Sequence, residues 1–235
     1  MNIAPYDIDA SARSQDADIW FALPPGFVPL PLRELTQAGT PEAQAAYPDD
    51  TLRPLIEALP DEASRQRLLV DLGPLLRTAQ LLVEIGTVHC SLGMHADDEG
   101  DGGVLLSLFT LTWRATSWAP RGVLAARAVA NVEGAEHIEI LAPPCGPAAL
   151  LQTRLAGPAE AGPAARRRLV QVTGCVPCPD GRRIAILTLA TTAVEHSKRY
   201  RALLRDIVGA VSFDNPLPEA FGASSEPSSD VFGED

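Results

Sequence analysis

Positive charge is scarce in this chain, and lysine is nearly absent. Against 30 acidic residues stand 19 basic ones, of which Lys198 is the single lysine, and the net charge is −11. Proteins that grip a nucleic-acid backbone cluster Lys and Arg to displace counterions. The one basic run, Arg166-Arg167-Arg168, opens an expected strand and reads as its solvated entrance, so no nucleic-acid partner is expected. Long apolar runs are missing too. A membrane helix needs roughly 20 such residues, and the longest candidate, Leu68 to Ile85, is broken by Asp71, Arg77 and Glu84. The N-terminus has no basic stretch leading into an apolar run, so no secretory signal is expected. The default location is then cytoplasmic, with the thiols of all four cysteines reduced. Export by a route without a cleaved signal stays open.

The familiar signatures of catalysis are also absent. There is no Gly-x-Ser-x-Gly elbow, Walker loop or dinucleotide fingerprint, and no cofactor or enzymatic activity is expected. Ser91, Ser107 and Ser117 fall on or beside expected strands with no assignable base. His137 shares a strand face with Glu139, and His196, near the start of the last helix, reads as an exposed capping-turn residue.

What is present is enough apolar material to bury a core: 46% of 235 residues are hydrophobic. Residues 1–17 are polar and unpatterned and are expected to be flexible. Residues 215–235 are acidic and rich in Ser and Pro, which cannot repay the entropy of ordering, and are expected to be a disordered tail. Between them, 18–214 reads as one domain. "DIWFALPPGFVPLPL" (18–32) gives a short strand, a turn and an extended piece, its prolines keeping it at an edge or out of regular pairing. A helical insertion over 40–86 follows. In its second half Leu68, Leu72, Leu75, Leu76, Ala79, Leu82 and Val83 recur at spacings of three and four, with Gly86 as the cap.

The period then changes to two. Strands are expected over 87–96 and 103–116, a short helix over 119–132, strands over 135–143, 149–157, 167–177 and 182–193, and a closing helix over 195–213. The fold class this order predicts is α+β: an antiparallel sheet of about six strands with helices packed on its faces.

The cysteines raise the sharpest chemical question. Cys175-Val-Pro-Cys178 has the spacing of a zinc knuckle. A zinc site needs two further ligands, for which Cys90, Cys145, His89 and His95 are the candidates; His89 and His95 share one face of one strand, with Cys90 opposing them. The second Cys-x-x-Cys that marks such sites is missing. A redox pair belongs at a helix start, whereas Pro179-Asp180-Gly181 is turn chemistry between two strands. The stretch therefore reads first as a hairpin tip, with no metal assigned. "DDEGDGG" (97–103) mimics the opening of a calcium loop, but Leu108 stands where the bidentate glutamate belongs, so it too reads as a turn. Three tryptophans remain. Trp20 opens the domain, and Trp113 and Trp118 are either core packing or, if exposed, an anchor for a protein partner.

Three patterns carry a family resemblance: "FALPPGFVPL", "ILAPPCGPAALLQTRL" and "DGRRIAILTLATTAVEHSKRYRALLRDIVGAVSF". Together they resemble the PsbP-like α/β/α sandwich, the fold of LpqN-type and Ran-binding Mog-type proteins, across residues 18–214. The resemblance implies a non-enzymatic binding or accessory protein, in the LpqN case associated with secretion. It transfers no functional residue, and the chain departs from it in lacking a lipoprotein signal and in carrying the 40–86 insertion. The alternatives are a zinc-stabilised or cysteine-dependent protein using Cys175 and Cys178, and a self-assembling subunit, a homo-oligomer built through a strand edge or the tail.

Overall fold

The alternating stretches from Thr87 to Thr191 pair, together with a short strand at Phe27–Pro29, into a single antiparallel sheet. The computed structural model describes residues 7–8, 18–30, 32, 81–97, 104–130, 132–155 and 169–216. In chain order the elements are β1 (Asp7–Ile8), β2 (Ala22–Leu23), β3 (Phe27–Pro29), β4 (Thr87–Ala96), β5 (Val104–Ala115), α1 (Arg121–Ala130), β6 (Ala135–Leu141), β7 (Ala148–Leu155), β8 (Leu169–Pro177), β9 (Arg183–Thr191), a 3-10 turn (Val194–His196) and α2 (Ser197–Gly209). The large sheet has the order β3-β4-β5-β9-β8-β7-β6, and β1 pairs separately with β2.

The expected α+β class, about six strands with helices packed on the faces, is corrected here. The described residues are mostly sheet, seven strands wide, with three short helices. The added strand is β3, which pairs Val28 with Leu92 and Pro29 with Ser91. Its prolines kept this stretch at an edge or out of regular pairing, and the edge is where it lies, since at the end of a sheet a proline's missing N–H costs no ladder bond. Asp7–Ile8, within the stretch read as unpatterned, pairs with Ala22 and Leu23. Of the expected helix in the insertion, only its end at 81–84 lies among the described residues, with Gly86 following at φ +88. The tail beyond 216 and Glu99 and Asp101 lie outside them.

Period two gives the sheet two distinct faces. On the first, Phe109, Leu111, Leu150, Val170, Val172, Val176, Leu187 and Leu189 form the main core with Tyr200, Leu204, Ile207 and Val208 of α2. Gly174 lies in this row, and a Cβ there would stand 2.6 Å from Val208 Cγ2, so the bare backbone is what lets α2 sit close. On the second face, α1 buries Leu124, Ala125 and Val129 against Ala149, Leu151, Cys175 and Ile184. The start of α1 is fastened by Arg121, whose Nε donates to the Pro177 carbonyl at 3.0 Å and whose Nη2 donates to that of Cys145.

The ends of the domain meet. Trp20 and Ser212 exchange backbone hydrogen bonds of 2.8 and 2.9 Å. Between β8 and β9 the chain turns at Cys178–Gly181, Gly181 taking φ +65 and donating to the Cys178 carbonyl at 3.0 Å. Asp180 Oδ1 accepts from the N–H groups of Arg182 (2.7 Å) and Arg183 (3.1 Å), which hold its carboxyl below the usual range. The quoted Cys-x-x-Cys stretch is thus the tip of a hairpin.

Candidate functional site

A broad concavity lies on the second face. α1 has only 10 residues, about 15 Å of helix, and covers the sheet incompletely. Beside it a cavity of about 500 Å³ opens over β5, β9, β8 and β7. Strand register sets its floor in rows. Arg114 stands opposite Ile184, Ile186 opposite Cys175, Thr188 opposite Thr173, and Thr173 opposite Leu151. Leu124, Ala128 and Val132 form an apolar wall at helical spacing, so one side is hydrocarbon and the other offers hydroxyls. Arg114, Arg127 and Glu133 complete the lining; among the described residues neither arginine has an ion-pair or hydrogen-bond partner.

The first face carries a row of polar side chains from β4. His89 and Ser91 are buried, and His89 Nε2 lies 2.6 Å from Ser91 Oγ. The His89 ring packs edge-on to Phe21 at 5.0 Å and beside Phe109 at 5.8 Å. His95 meets Phe27 at 5.2 Å and Tyr200 at 6.4 Å, on the border of a smaller cavity of about 370 Å³ lined also by Pro24, Pro25, Leu105 and Arg199. Burial, and then the charge of Arg199, push the His95 imidazole below the usual 6.5. The unfolded chain therefore binds this proton more readily than the native one. Stability should fall as pH drops from about 6.5 toward the lower native value, then level off. Urea titrations at stepped pH should show that slope in the native sequence and a shallower one in His95→Leu.

These positions separate the zinc candidates. His89 and His95 pair opposite Leu111 and Leu105 on the first face, at β4. Cys175 faces α1 on the second, and β5 and β9 lie between its strand and β4. Among the described residues no group of three His, Cys, Asp or Glu gathers to hold a metal. All four cysteines are free. Burial pushes the thiols of Cys90 and Cys175 up to about 12 and about 11, and raises that of Cys145 as well. Only the thiolate is nucleophilic. A disulfide reagent at mildly alkaline pH should leave Cys90 and Cys175 unmodified in the native protein and read four thiols in denaturant.

The tryptophans divide. Trp113 is half-buried against Phe213 at 6.5 Å, with the Arg183 guanidinium 4.7 Å above its ring. Trp118 is 66% exposed, its indole lying over Gly181. Trp20 is buried. His196, read as exposed, is instead buried, 3.3 Å from Asp97, which the chain brings across from the end of β4. His137 does sit beside Glu139 at 3.6 Å, and Glu139 is gripped by both nitrogens of the Arg205 fork at 3.1 and 2.6 Å.

At the far end of the sheet, β6 presents an unpaired side among the described residues. Ile138 and Ile140 are 49% and 61% exposed along it. The opposite end is the three-residue β3, which carries Pro29. The groove and this edge escaped the sequence because each is assembled from distant strands. The one local trace of the groove is the alternation of Gln171, Thr173 and Cys175 along β8, all three of which line it.

Comparison with known proteins finds no matching family model, no matching curated protein and no matching solved structure. No helix among the described residues is long and apolar enough to cross a membrane.

Proposed function

We propose that the protein is a non-enzymatic binding module, an accessory protein that takes a protein partner by adding that partner's strand to β6. The observation that carries this reading is the open β6 edge with its two exposed isoleucines. An edge of this kind is a template for a further strand, and natural proteins blunt edges they do not use. Pro29 blunts the other end; β6 has no proline and a single irregularity near Ala135. A cytoplasmic setting suits the four free thiols.

The simplest partner is a second copy. If two β6 strands pair antiparallel with Ile138 opposite Ile138, His137 of each copy faces Glu139 of the other, a favourable cross-strand pair. Sedimentation over a wide concentration range should show a dimer, and Ile140→Lys should give a folded monomer. A monomer in the native sequence removes the self-pairing. The partner is then a different protein, retained by the native chain on purification and lost by Ile140→Lys; if that variant retains it too, the β6 reading fails.

A further inference from the structure

We propose that the groove between α1 and strands β5, β9, β8 and β7 binds an amphipathic carboxylate, a medium-length acyl chain with an anionic head. The site is separate from the β6 edge, so it stands or falls on its own observations. The first is shape: about 500 Å³ lies within the range of roughly 300–1,000 Å³ typical of small-molecule sites, and the space is bounded by a helix on one side and strands below. The second is the lining. Leu124, Ala128 and Val132 form a continuous apolar wall, met by Ile184, Ile186 and Leu155, along which a hydrocarbon chain can lie. The third is charge. In a chain of net charge −11, this cavity holds two arginines that no carboxylate among the described residues engages, Arg114 on β5 and Arg127 on α1.

Elsewhere on the same molecule several arginines are paired with carboxylates. Arg154 meets Glu136 at 3.1 Å, Arg183 meets Asp18 at 2.9 Å, and Arg205 meets Glu139 at 2.6 Å. Guanidinium is the group suited to planar, two-point recognition of a carboxylate. Glu133, also in the lining, repels an anion and sets the head toward the arginines. The apolar row Ile184, Ile186 and Cys175 begins directly beside Arg114, so a head placed there has hydrocarbon next to it.

The test is calorimetric titration of the full chain with decanoate, and with decanol as the uncharged match. Decanoate should saturate at one per chain and bind about tenfold tighter than decanol, the contribution of one charge-assisted contact. Arg114→Gln with Arg127→Gln should erase that preference while decanol binding stays. Ile186→Trp, which fills the groove, should abolish binding of both while thermal unfolding shows a folded protein. Alkylation of Cys175 during slow native opening should be retarded by decanoate. Absence of saturation overturns the proposal, as does equal affinity for the two probes, or unchanged affinity in the arginine double variant. Uptake only onto anionic lipid vesicles, indifferent to the arginines, also overturns it.

Discussion

Replacing Gly174 with alanine should destabilise the fold by about 1–3 kcal/mol, the cost of forcing a methyl group into a filled core. The reason is local and specific. The new Cβ would stand 2.6 Å from Val208 Cγ2, well inside contact distance. Val208 cannot swing away, because a β-branched side chain on a helix has essentially one rotamer. The whole of α2 must then lift, and with it the buried Leu204 and Ile207. In a domain of this size each kcal/mol lowers the melting temperature by about 2–4 °C. A double-mutant cycle checks the mechanism: Val208→Ala should be harmful alone, yet Gly174→Ala with Val208→Ala should cost less than the sum. Additive losses would show that the helix-sheet contact at Gly174 is not the source.

Phe109→Ala should be more damaging, about 3–5 kcal/mol, the range for deleting a buried aromatic side chain. Phe109 has no exposed surface and sits at the meeting of three rings, with Phe21 at 5.8 Å, Phe27 at 6.1 Å and His89 at 5.8 Å. It joins the segment before β3 to the centre of the sheet, so its loss opens a cavity that no single neighbour can fill. Chemical denaturation should show a lower midpoint with little change in slope. Phe109→Leu should recover part of the loss, since it restores apolar volume without the ring contacts. Equal effects of the two substitutions would place the energy in the ring geometry instead.

The strands were easy to read and their arrangement was not. β4 begins and ends where the change to period two and the acidic turn place it, because alternation and turn chemistry are local properties. The prolines around β3 left an edge place open, because an edge needs no further donor, but whether the stretch paired at all was not legible locally. The position of β9 between β5 and β8 is set by which faces must be buried together, a global matter. His196 looked exposed because its partner, Asp97, comes from a distant strand end. The zinc alternative needed His89 and His95 beside Cys175, and the sheet put them on the opposite face from it. Arg114 and Arg127 are unremarkable in the sequence and become a pair only when β5 and α1 are laid side by side.

The strand order also governs how the chain can assemble as it is made. β4 and β5 form one hairpin, β6, β7 and β8 form a meander, and each can pair as soon as it is complete. Neither group touches the other through a shared ladder until β9 arrives and bonds to β5 on one side and β8 on the other. Pairings that span so much chain are slow to close, since loop entropy must be overcome first. The sheet's ladder can therefore become continuous only once β9, the last of its strands in chain order, is available to join β5 to β8.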